Sequence, residues 1–335
     1  MQTRWCNLAV LTVALTGLAA DARAQSGVSS GCAGQLSISR DACQKAADLF
    51  AFMAPQLGVS ITGGNAVLGT ASPLGGLGHF SIGVRANVVR GQVPQTDQVQ
   101  LNLTGARSSN FAPQSKIVGL PTAEAAIGLF KGVTVGLTNI GGVDALVSAF
   151  YVPDIDEDRV SVSTTGGKLQ LGYGVRVGIL QETAFVPGVS VSYLRRDLPT
   201  VNLRAAVGTA DSVAVTGLSE HTSAWRLAAS KRFVIVGLTA GAGQDRYDSH
   251  ADAQAYVAPR GVIPAVNAKF GGILAQKLTR TNVFAGASVD LALLRIAAEV
   301  GRVSGGDIAA SYNTFGGRHA DDAYTYASIG LRVGF

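Results

Sequence analysis

The C-terminal pattern is the feature that most constrains the fold of this chain. Between Tyr324 and Phe335, apolar residues alternate strictly with small or polar ones, and the last residue is aromatic. Successive side chains of a β-strand point to opposite faces, so this segment presents one face to an apolar medium and the other to a polar one. A half-buried strand of a soluble sheet alternates in the same way. The alternation therefore allows two fold classes, a soluble sheet and a membrane β-barrel.

The N-terminus predicts export of the mature chain. Arg4 supplies a positive charge, residues 8–20 form a short apolar segment, and Ala22-Arg23-Ala24 matches a signal-peptidase cleavage site. We therefore expect a signal peptide over residues 1–24. The predicted location of the mature protein is the outer membrane of a Gram-negative bacterium.

Composition favours a barrel over a helical membrane protein. The chain is 47% hydrophobic, yet its longest apolar runs beyond the signal peptide, such as 233–243, fall short of the roughly 20 residues that a spanning helix needs. Only helices and closed barrels satisfy every backbone polar group in lipid. The predicted fold class is therefore all-β, a transmembrane antiparallel β-barrel with a short helical N-terminal plug or periplasmic segment.

From Gly78 to Phe335 the sequence reads as the barrel, because it alternates with a period of two. The clearest runs, 80–88 and 169–179, approach the roughly 9 to 11 residues that a tilted strand needs to cross the hydrocarbon. Bacterial single-chain barrels have even strand numbers, so we expect about 14 strands, or about 12 without the two weakest segments, 122–130 and 307–315. The predicted segments are 78–90, 97–106, 122–130, 142–152, 168–181, 186–196, 199–209, 221–232, 233–246, 263–276, 280–290, 293–303, 307–315 and 323–335.

Residues 25–77 lack the strand pattern and form a separate element. Helical spacing of apolar residues predicts a helix near 40–53, which Pro55 should end. The segment is either a plug inside the barrel or a periplasmic element at its rim. Cys32 and Cys43 are expected to form a disulfide, because an exported protein meets an oxidising compartment.

Three strands place a Gly and an Arg on the same face, two residues apart, and the opposite face is apolar. A charged residue that faces lipid at mid-membrane costs roughly 2 to 4 kcal/mol, so we expect these arginines to face the lumen. The lumen-facing candidates are His79, Arg85, Arg176, Arg204, Arg226 and Arg332. The arginines either make the lumen selective for anionic or amphipathic solutes, or pair with inward carboxylates such as Asp144, Asp290 and Glu299 and support the plug.

Other functions find little support in the sequence. His221 and Ser223 share a strand face, but no third residue can be assigned to orient them, so we expect no catalytic site. The acidic loops lack the frame of a calcium-binding loop, and no metal or other cofactor is expected. Positive charge is scattered without any run of Lys or Arg, which argues against nucleic-acid binding.

The plug-like N-terminus, the number of predicted strands and the terminal Phe335 resemble the long-chain fatty acid transporter family of outer-membrane barrels. Gly64-Asn65-Ala66 is similar to that family's Asn-Pro-Ala segment but lacks the proline. The resemblance implies a plug that fills the barrel and hydrophobic solutes that cross by way of the barrel wall. A barrel family with no assigned function is the alternative.

The expected function is passive transport, or a pore, for small hydrophobic or amphipathic solutes. The competing interpretation is a non-conducting structural or surface-interaction barrel, and an outer-membrane enzyme ranks third. Expected partners are outer-membrane lipid, a small hydrophobic or anionic amphipathic solute, and the barrel-assembly machinery, which would read Phe335 as an assembly signal.

Overall fold

The structure of this protein is a computed structural model that describes residues 27–157 and 160–334. The predicted signal peptide and Phe335 lie outside the described residues. The strands, in chain order, are β1 (Phe80–Pro94), β2 (Pro113–Phe130), β3 (Val133–Val135), β4 (Thr138–Ile140), β5 (Gly142–Tyr151), β6 (Ile155–Glu157), β7 (Val160–Thr164), β8 (Leu169–Leu180), β9 (Gly188–Asp197), β10 (Val201–Val207), β11 (Asp211–Phe233), β12 (Val236–Val257), β13 (Val266–Leu291), β14 (Leu294–Ser304) and β15 (Tyr324–Gly334).

Ten of the described strands close into a ring. The order is β1, β2, β5, β8, β9, β11, β12, β13, β14, β15 and back to β1. Each strand is antiparallel to both of its neighbours. The predicted antiparallel β-barrel is therefore confirmed.

The outer face of the ring is apolar. On β8 the outward residues alternate with buried or half-buried ones, and each is at least 39% exposed: Leu169, Leu171, Tyr173, Val175, Val177 and Ile179. A soluble monomer rarely exposes a continuous apolar surface of this extent. The apolar belt suits lipid, so the soluble-sheet interpretation of the alternation is excluded.

The predicted strand number is too high. Residues 97–106 and 307–315 lie in loops, and 199–209 corresponds to β10, which pairs with β7 and β11 outside the ring. The segments 263–276 and 280–290 are parts of one strand, β13. Alternation misled the prediction because a residue buried against a plug looks the same in sequence as one that faces lipid: Val99 and Leu101 pack in the core around the N-terminal helix.

The two ends of the barrel differ in the length of their connections. At the end where the chain enters β1, the turns 234–235 and 292–293 contain only two residues. Such hairpin turns favour a positive φ at the first position, and Val234 and Ala292 adopt φ values of 58° and 53° there. Neither turn carries the Gly or Asn that usually occupies such a position, so the sequence gives no sign of a turn at either place. The opposite end carries the long loops and corresponds to the outer side of bacterial barrels.

Within the described residues, two helices precede the barrel, α1 (Ser30–Ala33) and α2 (Ser37–Thr62). Neither has the length and apolarity needed to cross a membrane, within the residues that the structure describes. Helix α2 lies inside the barrel, where it contacts β1, β2, β9, β11, β12, β13 and β15. At 1.5 Å per residue its 26 residues extend about 39 Å.

Helix α2 does not end at Pro55 as the sequence predicted. A proline cannot donate a hydrogen bond to the carbonyl four residues earlier, here that of Ala51. The side chain of Gln276 on β13 supplies the missing donor, with Nε2 3.1 Å from the Ala51 carbonyl oxygen. The barrel wall thus satisfies the carbonyl that Pro55 leaves free, and the helix continues to Thr62.

Candidate functional site: the plugged lumen

We call residues 27–77 the plug. The part of the plug nearest the long loops is fixed by apolar packing. Phe52 of α2 stacks on Phe315 with ring centroids 4.1 Å apart, and Phe315 also stacks on Phe111 at 5.6 Å. Phe315 and Phe111 belong to the long loops, so these loops cover the helix. A disulfide between Cys32 and Cys43 joins α1 to α2.

Two buried carboxylates of α2 bind the same loops. Asp41 forms an ion pair with Lys45 (2.7 Å) and accepts hydrogen bonds from two backbone amides of the loop after β1, at 2.7 and 2.8 Å. Asp48 accepts hydrogen bonds from the backbone and side chain of Asn313, at 2.8 and 2.7 Å. Burial raises the pKa of Asp48 and lowers the pKa of Lys45, while the hydrogen bonds with Asn313 and Asp41, respectively, oppose these shifts.

The end of α2 is held by three arginines of the barrel wall. Arg196 Nη1 donates to the Thr62 carbonyl (2.8 Å), Arg226 donates to the carbonyls of residues 63 and 64 (3.0 Å each), and Arg85 Nη1 donates to the Asn65 carbonyl (2.9 Å). The last carbonyls of a helix have no partner within the helix. The arginines therefore satisfy the backbone at the point where the plug turns from helix to irregular chain.

Carboxylates on the wall neutralise these arginines. Glu124 pairs with both Arg85 (2.5 Å) and Arg196 (3.0 Å), and Asp245 pairs with Arg226 (2.5 Å). Buried charges in proteins are normally paired in this way, because an isolated charge is costly to remove from water.

Glu299 acts on the plug directly. Its two carboxylate oxygens each lie 3.1 Å from the backbone nitrogen of Asn65, which donates to them. The carbonyl of the same residue accepts from Arg85. The backbone of Asn65 is thus bound at both polar groups, from β14 on one side of β15 and β1 on the other.

Beyond Asn65, towards the short-turn end, the plug contacts the wall mainly through neutral hydroxyl groups. Ser230 accepts from the Ala71 amide (2.9 Å), and Ser288 donates to the Gly69 carbonyl (3.3 Å). The hydroxyl of Ser72 accepts from a backbone amide of the turn after β8 (3.0 Å). The charged contact in this region is Asp144, which accepts from the amide of residue 74 at 3.1 Å.

Two small cavities lie beside the plug within the described residues. One cavity lies between Val67 and Glu124 and another between Leu68 and Arg332, and each measures about 10 Å³. That is about the volume that a single water-sized sphere occupies. Neither cavity can hold a solute molecule.

The candidate lumen residues fall into three groups. Arg85, Arg176 and Arg226 are buried in the lumen, and Arg332 is half-buried beside Glu124. His79 precedes β1 and is exposed at the short-turn rim. The lumen assignment of Arg204 is wrong: it lies on β10 outside the ring, where it is exposed and its Nη2 is 3.3 Å from the Ser212 hydroxyl.

Two of the three inward carboxylates named from the sequence contact the plug, and the third pairs with arginines of the wall. Asp144 pairs with Arg176 at 2.8 Å, Asp290 pairs with Arg295 at the short-turn rim, and Glu299 binds Asn65 as described. These contacts match the interpretation in which lumen charges pair and support the plug.

Sequence reasoning missed Arg196, which binds both Glu124 and the end of α2. It follows another arginine, and the two neighbours point to opposite faces of β9. The signal was present, because Ser192 and Ser190 lie on the same buried face, four and six residues before Arg196. Small polar residues in alternation mark the lumen face of a strand.

His221 and Ser223 lie on the outer face of the barrel. His221 Nδ1 is 3.2 Å from a carboxylate oxygen of Asp197, but Ser223 forms no hydrogen bond with His221 in the part of the chain that the structure describes. No cluster of three or more potential ligand side chains could hold a metal ion within residues 27–157 and 160–334.

No protein-family model and no curated protein matches the chain. Among solved structures, it is similar to an outer membrane channel from Pseudomonas putida F1, at 10% identity over 80% of this chain and 98% of that chain, with a TM-score of 0.29. It is also similar to a toluene transporter from Ralstonia pickettii, at 12% identity over 90% and 98% of the two chains, with a TM-score of 0.25. A FadL homologue from Pseudomonas aeruginosa aligns at 8% identity over 77% and 89%, with a TM-score of 0.21. The likeness is one of architecture, and residue roles in this chain are assigned from its own contacts.

Proposed function

We propose that this protein is an outer-membrane barrel for passive transport of small hydrophobic or amphipathic solutes, closed at rest by its own plug. The observation that carries the proposal is the polar character of the contact between plug and wall. Replacing a buried ion pair by apolar residues of similar volume is often neutral or stabilising. A plug that only filled the barrel would therefore gain nothing from the ion pairs of Arg226 and Arg85, whereas a polar wall is suited to a lumen that admits water when the plug moves.

The closed state follows from the space beside the plug. The two cavities of about 10 Å³ exclude any solute, so passage requires movement of part of the chain. We assign this movement to the gate segment, residues 66–77. It lies below the arginine contacts, and its contacts with the wall are mostly neutral hydrogen bonds, which are about half as strong as charge-assisted ones.

The second candidate is a non-conducting structural or surface-interaction barrel. The same sealed lumen favours it, together with the number of contacts that fix α2 beneath the long loops. The two candidates differ in one measurable property, because only the transporter requires the gate segment to leave its position.

A disulfide lock tests this difference. A Cβ atom built on Gly188 would lie 2.9 Å from the Cβ of Ser72 in the gate segment. Cβ atoms of natural disulfides are about 3.5 to 4.5 Å apart, so Ser72→Cys/Gly188→Cys should form a bond once the two segments move apart by less than about 1 Å. The same movement relieves the contact of the new Cβ with the Ser72 backbone, whose Cα and nitrogen would lie 3.0 Å away. In planar bilayers the oxidised double variant should conduct less than the reduced one. In Gram-negative cells it should slow uptake of a hydrophobic dye such as phenylnaphthylamine.

Two controls isolate the lock. Gly188→Cys alone measures the effect of the new side chain, and wild-type protein with reductant measures the effect of opening the native bond between Cys32 and Cys43. Loss of uptake on oxidation, reversed by reductant only in the double variant, is the expected result. If wild type and reduced double variant pass neither ions nor dye, the structural barrel replaces the transport proposal.

A further inference from the structure

The apolar belt ends differently at its two edges. On four strands the outward series changes from apolar residues to arginine towards the long loops. These arginines are exposed: Arg90 on β1, Arg195 on β9, Arg246 on β12 and Arg302 on β14. At the short-turn end of the same strands, the outward series begins with apolar residues: Phe80, Val189, Val236 and Leu294. On these four strands, outward positive charge is therefore confined to the boundary near the long loops.

Two of these arginines flank a depression on the outer face. Ser223 on β11 pairs with Arg195 on β9 and with Arg246 on β12, so the three residues form one row across neighbouring strands. Strands are about 4.8 Å apart, which places the two arginine Cα atoms roughly 10 Å apart. The small side chain of Ser223 leaves the space between them open. The row belongs to the lining of a depression of about 470 Å³.

The row lies at the boundary between lipid and water. One step towards the belt, Trp225 pairs with Tyr193, and both aromatic rings are exposed, at 44% and 48%. Aromatic residues mark the interfaces of membrane barrels. One step away from the belt, His221 pairs with Asp197 on β9 and with Asp248 on β12. The positive charges are therefore nearer to the lipid than the negative ones.

The arginines are available for a ligand. Arg246 has no carboxylate partner among the described residues. Arg195 Nε is 3.7 Å from Asp197, which is longer than a hydrogen bond, and its side chain is 47% exposed. A planar guanidinium binds phosphate through two parallel hydrogen bonds.

We propose that Arg195 and Arg246 bind the phosphate groups of an anionic lipid in the leaflet that faces the long loops. The headgroup occupies the depression over Ser223, and the acyl chains lie along the belt below Tyr193 and Trp225. Charge complementarity selects this occupant, because the cations are concentrated at one edge of a lipid-facing surface and lie between aromatic residues and water. The proposal is independent of transport through the lumen.

Lipid binding by Arg195→Gln/Arg246→Gln tests the proposal. The probe is lipid A, a phosphorylated glycolipid, titrated into the purified full chain in phosphatidylcholine nanodiscs and counted by native mass spectrometry. A hydrogen bond to a charged group is worth roughly tenfold in affinity, so the double variant should bind about a hundredfold more weakly. The control is Arg90→Gln/Arg302→Gln, which removes the same charge from the same edge, away from the depression, and should bind as wild type does.

Three results would overturn the proposal. The double variant could retain lipid A as wild type does, or the control could lose it equally, which would indicate general attraction to the edge. Inorganic phosphate could displace lipid A completely at low concentration, which would indicate a site for a small anion. Circular dichroism of each variant establishes that the barrel is folded, since all four substituted side chains are exposed.

Discussion

Removing Arg226 should weaken the contact between the plug and the barrel wall at residues 63 and 64. The side chain is fully buried. It donates to the carbonyls of Gly63 and Gly64 at 3.0 Å and forms an ion pair with Asp245 at 2.5 Å. Substitution Arg226→Met keeps much of the volume but leaves Asp245 buried without its cation.

The expected loss of stability depends on which hydrogen-bond partners Asp245 keeps after the substitution. Breaking one partner of a buried ion pair costs about 3 to 5 kcal/mol. Asp245 keeps three neutral donors, Thr62 Oγ1 at 3.3 Å, Tyr247 Oη at 3.3 Å and Asn282 Nδ2 at 3.2 Å. We therefore expect the free energy of unfolding to fall by an amount near the lower limit, about 3 kcal/mol. Asp245→Asn in the Arg226→Met background removes the unpaired charge and should restore about half of this loss.

Urea unfolding in lipid vesicles measures these free energies. The matched control is Arg232→Met, which removes an arginine whose side chain is 55% exposed and pairs with Asp290 at 3.1 Å. Exposed ion pairs are worth less than about 1 kcal/mol, so the control should change stability little. A loss below about 1 kcal/mol for Arg226→Met, or a double variant no more stable than the single one, would refute the view that this ion pair anchors the plug.

Two further substitutions test how the wall supports α2. Gln276→Ala should reduce the free energy of unfolding by about 1 kcal/mol, because it leaves the partly buried Ala51 carbonyl without its side-chain donor. The loss should shrink in a Pro55→Ala background, which restores the backbone donor, and an unchanged loss in the double-mutant cycle would contradict this account. Gly58→Ala should reduce the free energy of unfolding by about 1 to 3 kcal/mol, because the new Cβ would lie 2.7 Å from the ring of Tyr247. If Gly58→Ala reduces stability equally in wild type and in a Tyr247→Leu background, the contact with the ring is not the cause.

Local periodicity is enough to predict those features of the fold that depend on a single strand. The faces of Arg85 and Arg176 follow from alternation alone, because an apolar neighbour on each side must face lipid. The all-β barrel follows from the same pattern together with the predicted signal peptide and the absence of long apolar runs. Each of these inferences needs only a few consecutive residues.

The number of ring strands and the plug contacts depend on residues far apart in the chain. Glu299 binds Asn65 across 234 positions, and Gln276 binds Ala51 across 225. No local pattern marks such partners, so the sequence alone predicts that the helix ends at Pro55. Arg204 shows the related error, because alternation reports that a strand has two faces but not which sheet edge or ring it joins.

The distribution of plug contacts indicates which part of the chain can move. Helix α2 is fixed towards the long loops by stacking of Phe52 on Phe315. At its other end it is fixed by the arginine contacts of residues 62–65. The gate segment between Ala66 and the start of β1 is held by Ser230, Ser288 and the amide contact with Asp144. Because neutral hydrogen bonds contribute about 0.5 to 1.5 kcal/mol each, the segment needs less free energy to leave the wall than α2 does. A lock at Ser72 acts on this segment and leaves every contact of α2 intact, so conduction lost on oxidation would locate the barrier below the helix, at the short-turn end of the barrel.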